Sequence, residues 1–364
     1  MKRARHLRGN EGKRVHKRLW LLRRRDKIFR CKGRRPFGTS AAGLATNEHT
    51  AASVSIGEDR NLVIELPEAL DFEENYEATA SHFAVLRQAV RQRKTIRRLS
   101  FQKLRVISPA AALVLASEVD LWNFRTRGRL VADIDSWSEE IKRLLCEMGY
   151  FELLHIRKPD IAWPKGNIAF INFKRGRIKK IDPGPLAKEL RIEIEQLVGQ
   201  PIKKQILFEG LSEAMTNVVQ HAYPDATNIT LKQWWMSASY DFTSKRLWVT
   251  FFDQGAGIPV TLPKAHFFEY ITGYDQFWSD SKKIEVAMET GRTSSGQTER
   301  GKGLQNLVEF AKSHVKGQLS IYSLCGMYRQ NFIVKNNEPV ASTRRVDHAV
   351  SIGGTLIEWS VVLE

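Results

Sequence analysis

Apolar and polar positions alternate in short runs through the first part of the chain and then change period. Asn61–Leu66 and Thr95–Phe101 alternate with the two-residue period of strands, and Arg129–Ile134 reads as a third. Pro109 opens an apolar helix, Ala110–Val119, because its fixed φ suits a first helical turn. Ser138 is placed to cap a helix over Glu139–Met148, and Gly149 to end it. These elements predict a first αβ unit at 55–157. After Trp163-Pro164-Lys165-Gly166 a second pattern begins near Asn167. It predicts helices at 185–198 and 201–222, strands at 227–235 and 245–252, a helix near 304–314 and closing strands. The resulting division is a tail and linker over 1–53, an αβ domain over 54–165 and a second domain over 166–364. The expected class is α/β, and more narrowly α+β.

Composition narrows the picture. At 42% apolar and 27% charged residues, the 364-residue chain has the profile of a globular protein with room for two domains. No apolar run approaches the roughly 18–20 residues that span a bilayer. Leu19-Trp20-Leu21-Leu22 is too short for a signal-peptide core, so a cytoplasmic location is expected. Cys31, Cys146 and Cys325 are odd in number and scattered, which argues against a disulfide framework or a zinc site.

The net charge of +17 is concentrated. Residues 1–35 carry sixteen Lys and Arg against Glu11 and Asp26, so +14 of the +17 belongs to this tail. A small-residue linker follows at 36–53. A basic segment of this kind can contact nucleic acid or an anionic membrane through counterion release. The plain alternatives are a solvated tail, or an upstream stretch that the cell does not make.

Candidate chemistry starts on the helix Gln205–Tyr223. At about 100° per residue, Glu213, Asn217 and His221 share one stripe. Leu207, Phe208, Leu211, Ala214, Met215, Val218, Val219 and Ala222 form the adjoining apolar arc. A carboxylate, an amide and an imidazole therefore stand together beside a core face. Downstream, the strand in Leu247–Pro259 runs into Asp253, where Gly255 and Gly257 let the backbone turn and approach a ligand closely. Arg300-Gly301-Lys302-Gly303-Leu304 enters a helix, and glycines there leave free N–H groups suited to phosphate oxygens. Gly353-Gly354-Thr355 precedes the apolar strand Leu356–Val362. Each of these has a bland reading as a turn, cap or bulge.

Taken in order, E-x-x-x-N-x-x-x-H, strand–D-x-G-x-G-I-P, R-G-K-G-L–helix and G-G-T–strand resemble the GHKL nucleotide-binding domain of the gyrase, histidine-kinase and MutL type. The stretch EAMTNVVQHAYP is most similar to anti-sigma-factor serine kinases. The resemblance covers about 167–364 and implies a Bergerat fold, a two-layer sandwich with helices on a largely antiparallel sheet, that binds ATP and Mg²⁺. It implies that Asn217 holds Mg²⁺, that Glu213 polarises the attacking water or hydroxyl, and that Asp253 accepts from the adenine amino group. Gly255 and Gly257 would lie beside the base, Gly301, Lys302 and Gly303 at the phosphates, and Thr355 near the adenine. His221 either lines the phosphate site or caps the helix end. The aromatic-rich stretch from Pro259 to Arg300 takes the place of the family's nucleotide lid, and Thr293, Ser294 and Ser295 could add hydroxyl contacts. Nothing reads as a sensor kinase's dimerisation helices.

Residues 55–157 are similar, more faintly, to the STAS domain of anti-sigma-factor antagonists, through the strand ending at Phe101, Val106-Ile107-Ser108-Pro109-Ala110 and KRLLCEMGYFELL. Ser108 stands where those antagonists carry a phosphate acceptor, although Ile107 replaces the usual Asp; its other role is that of an N-cap. The expected function is ATP-controlled regulation with a protein partner, through slow ATP hydrolysis or Ser/Thr phosphoryl transfer. The alternatives are a non-catalytic ATP-dependent switch, and nucleic-acid binding through the tail.

Overall fold

Two sheets organise the chain. The computed structural model describes residues 54–56, 62–91, 96–126, 131–132, 134–158, 166–177, 183–200, 202–223, 232–262, 278–290, 303–335 and 338–363. The basic segment 1–35 and its linker lie outside them.

In the first half, β1 (Val54–Ile56), β2 (Leu62–Glu65), β4 (Ile96–Ser100) and β6 (Val131–Ala132) form a sheet in the order β1-β2-β4-β6. β1 is antiparallel to β2 and the other neighbours are parallel. β3 (Ala69–Leu70) and β5 (Val106–Ile107) pair with each other. Of the strand expected over Arg129–Ile134, Val131–Ala132 is described as strand, whereas Ile134 already belongs to the 3-10 helix Ile134–Ser136, where Asp135 and Ser136 favour turning over extension.

Helices α1 (Tyr76–Arg91), α2 (Pro109–Thr126), α3 (Glu139–Met148) and the short α4 (Tyr150–Leu153) complete this half. Ser108 Oγ accepts from the Ala111 N–H at 3.3 Å, the bond of an N-cap. Ser138 caps α3 in the same way through Ile141, and Gly149 ends α3 at φ +96°. Helix α2 is mostly apolar and buried from Ala110 to Asp120, Ser117, Glu118 and Asp120 included. A helix with that pattern needs neighbours on every side, and the second half of the chain supplies one of them.

The second sheet has eight strands: β7 (Ile168–Phe170), β8 (Lys174–Arg177), β9 (Gln233–Asp241), β10 (Arg246–Asp253), β11 (Lys316–Ser323), β12 (Gly326–Lys335), β13 (Glu338–Asp347) and β14 (Thr355–Val362). The order is β13-β12-β11-β14-β10-β9-β7, with β8 also on β9, and every pairing is antiparallel. Of the strand expected at 227–235, residues 227–231 lie outside the described residues, and the described strand Gln233–Asp241 runs past the expected end. Its residues from Gln233 to Tyr240 are buried on both faces, so no alternation marked how far the strand extends.

One face of this sheet carries α5 (Pro183–Val198), α6 (Lys204–Asn217) and α9 (Gly303–Lys312). Leu190, Leu207, Leu211, Met215, Leu307 and Phe310 pack there with Phe251, Leu319, Ile321, Ile357 and Trp359. α7 (Ile258–Thr261) and α8 (Asp280–Thr290) follow β10.

The other face is covered as well. Trp235, Phe252, Tyr322, Met327 and Leu356 belong to the same core as Phe72, Phe83 and Leu113 of the first half. Helix α2 lies across β9 and β10. The expected two-layer arrangement therefore describes one side only: the first half adds a third layer, because alternate residues of these strands are apolar on this face too. The α+β class stands.

Among the described residues no helix is long and apolar enough to cross a membrane. Cys146 is free, whereas Cys325 is disulfide-bonded, which the scattered cysteines did not lead us to expect.

Candidate functional site

The strand register builds the centre of the site. Asp253 ends β10 directly opposite Thr355, which begins β14, and Thr355 in turn faces Ser323 at the end of β11. All three lie on the helix-bearing face, in step with Phe251, Ile357 and Ile321. Asp253 is buried, and Oδ1 accepts from the Gly255 N–H at 2.7 Å. Burial drives its carboxyl up to about 7, partly offset by that N–H. Among the described residues Gly255 is the one hydrogen-bond donor to this carboxylate.

The glycine pairs hold two further segments against Asp253. A side chain at Gly354 would collide with the Asp253 carbonyl oxygen. A Cβ at Gly255 would stand 2.5 Å from the Ala222 carbonyl oxygen, which accepts from Ala256 N–H at 2.7 Å. Gly257, at φ +83°, opens α7 against Ser323 and Leu324.

Ser323 carries no sequence motif, yet its hydroxyl joins three segments. It accepts from Ile258 N–H at 2.9 Å, lies 3.0 Å from Thr355 Oγ1 and donates to Gly354 O at 3.3 Å. Only its place as a small polar residue at the end of an apolar strand could have drawn attention to it.

Helix α6 brings Glu213 and Asn217, both half-buried, to the same end of the sheet. Burial raises the Glu213 carboxyl above the usual range, and the nearby Asn217 amide opposes that rise. Asn217 Nδ2 is buried and reaches no partner at hydrogen-bond geometry. Beyond Asn217 the helix widens into a π turn, Val218–Ala222, so the 100° spacing that placed His221 on the stripe ends there. His221 is exposed. Of the expected apolar arc, Leu207, Leu211, Ala214, Met215, Val218 and Ala222 are buried and Phe208 is partly buried against the same core.

Helix α9 supplies the remaining edge. Lys203 Nζ contacts the Ser313 carbonyl, and a Cβ on Gly210 would sit 3.5 Å from the Asn306 carbonyl oxygen. These contacts make α6 and α9 antiparallel neighbours, and extending their alignment sets Gly303 level with Glu213. The start of α9 thus lies at the end of α6 that carries Glu213 and Asn217. Gly301 and Lys302 lie outside the described residues, as do 263–277 and Thr293, Ser294 and Ser295.

One end of the sheet therefore gathers Asp253, Gly255, Gly257, Thr355 and Ser323, with the end of α6 and the start of α9 beside them. Chemically it offers a buried acceptor, glycine surfaces that admit close approach, a half-buried carboxylate one turn before an amide, and the N-terminus of a ten-residue helix. Among the described residues there is no group of three or more His, Cys, Asp or Glu that could hold a metal ion by itself. No family model matches the chain, and no curated protein does.

Proposed function

We propose that residues 166–364 form a Bergerat-type domain that binds ATP with Mg²⁺, joined to a STAS-like unit at 54–165, and that the protein regulates a partner through this nucleotide. The observation that carries the reading is the convergence, at the end of the sheet that holds the buried Asp253, of four segments widely separated in sequence: the end of α6, the turn after β10, Ser323 and Gly354-Thr355. The donor set suits the ligand. Asp253 has acceptor capacity left for the adenine amino group, Thr355 adds a hydroxyl beside it, and Gly255 and Gly354 leave no side chain in the way. The start of α9 offers N–H groups and a positive dipole end to phosphate oxygens.

Mg²⁺ would be held by the Asn217 amide oxygen together with phosphate and water oxygens, a set that suits a hard ion, and would neutralise phosphate charge. Buried beside Glu213 and without a hydrogen bond of full geometry, the Asn217 amide is consistent with a side chain placed for a ligand rather than for the fold. Glu213, its carboxyl raised by burial, is placed to take a proton from an attacking water or hydroxyl. Slow ATP hydrolysis or Ser/Thr phosphoryl transfer is the chemistry that this arrangement favours. The N-cap bond of Ser108 favours a structural role for that hydroxyl over one as acceptor.

The test is to measure ATP binding by purified protein with Mg²⁺ and with chelator, and to follow free phosphate and protein-bound label from γ-labelled ATP. Mg²⁺-dependent binding with slow phosphate release is expected. Binding without turnover, with or without partners, leaves a nucleotide switch in place of an enzyme. No ATP binding overturns the reading.

A further inference from the structure

Two contacts tie the first half of the chain to the back of this site: a part-buried hydrogen bond, and an Arg side chain that is itself held by a buried ion pair. Gln254, the residue after Asp253, donates Nε2 to Ser117 Oγ on α2 at 3.3 Å. On α1, Arg87 is 5% exposed and forms an ion pair with Glu118 of α2, itself 1% exposed, with Nε and Oε1 2.9 Å apart. The Arg87 guanidinium occupies the space that a side chain at Gly353 would fill. Gly353, at φ +81°, leads directly into Gly354, which rests on the Asp253 carbonyl.

Stability alone does not account for such a pair. Removing two charges from water is costly, and apolar side chains of similar volume commonly pack there at no loss. Arg does supply a flat, rigid and permanently charged group. That plane lies directly against Gly353, which has no side chain to hold it off.

We infer that Arg87, held by Glu118, is a positioning residue for the adenine end of the site. It braces the Gly353-Gly354 turn from behind and thereby holds Asp253 and Thr355 in register for the base. The inference rests on the nucleotide reading above, and makes the first half of the chain part of base recognition without touching the ligand.

The test compares ATP with inosine triphosphate, which carries a carbonyl oxygen in place of the adenine amino group. Their affinities for the full chain are measured in wild type, Arg87→Lys, the paired change Arg87→Met with Glu118→Leu, and Glu118→Gln, each first checked for folding by circular dichroism. Wild type should prefer ATP, and the variants should narrow that preference by about tenfold, the worth of one misplaced hydrogen bond, with inosine triphosphate affinity little changed. A purely structural role would leave the ratio as it is. Folded variants with the wild-type ratio overturn the inference while the nucleotide reading stands. If wild type binds neither nucleotide, that reading fails and the inference goes with it. Should both Arg87 variants fail to fold, Glu118→Gln, which removes the charge that holds Arg87 while keeping the side chain's shape, decides: an unchanged ratio in that folded variant overturns the inference.

Discussion

Asp253 and Thr355 stand directly opposite each other on β10 and β14, 102 positions apart in the chain, and one buried carboxyl and one hydroxyl thereby share the same end of the sheet. That pairing gives the proposed site its acceptor side, and the sharpest predictions concern it.

Asp253→Asn should separate stability from function. Burial raises this carboxyl from an ordinary 3.8 to about 7. Between those values the folded chain keeps a proton that the unfolded chain has released, so its contribution is favourable below the window and is lost as pH rises through it. Up to about 4 kcal/mol is involved. Asn cannot ionise, and its oxygen still accepts from Gly255 N–H. Denaturant titrations should show the variant more stable than wild type above about pH 7 and indistinguishable near pH 4. ATP affinity should fall by about 1–3 kcal/mol, because the new NH₂ faces the adenine amino group. Equal affinity would remove Asp253 from the adenine site.

Asn217→Ala should abolish the Mg²⁺ dependence of ATP binding while leaving the thermal midpoint near wild type. The amide nitrogen it deletes makes no hydrogen bond of full geometry, so the fold loses little there. Glu213 loses the neighbour that opposes its upward shift and should titrate higher. Titrating ATP with Mg²⁺ and with chelator, alongside a melting curve, checks this; an unfolded variant would make Asn217 structural.

Glu213→Ala should leave ATP affinity nearly unchanged and cut turnover by about 10²- to 10⁴-fold, the usual worth of a general base. In wild type the rate should decline as pH falls through the raised pKa of Glu213, since protonation removes the base. Paired binding and phosphate-release assays across pH decide it, and a variant with wild-type turnover would exclude Glu213 as the base.

Two glycine-to-alanine changes should behave oppositely. Gly354→Ala drives a methyl group into the Asp253 backbone, an overpacking worth about 1–3 kcal/mol, and should lower both stability and ATP affinity. Gly210→Ala places its methyl group 3.5 Å from Asn306 O, an ordinary contact, and gains up to about 1 kcal/mol of helix propensity. Thermal melts of the two variants should shift in opposite directions; a stable, ATP-competent Gly354→Ala would show that the turn can move freely.

What the residue pattern carried by itself was local. Ser138 and Gly149 bound α3 as their chemistry requires, and Pro109 opens α2. The apolar arc of α6 and the end of β10 at Asp253 were likewise legible, because caps, helical period and strand-ending glycines act over a few residues. The extension of the ninth strand to Asp241 was not legible because burial on both faces erases alternation. His221 left its stripe because a π turn changes the helical phase, which no residue type announces. Only the tertiary structure decided that Ser323 ties together Ile258, Gly354 and Thr355, and that Arg87 backs Gly353. Those contacts join segments far apart in the chain. They depend on strand order, register and the packing of one half on the other, and a local pattern of polar and apolar residues constrains none of these without the whole fold.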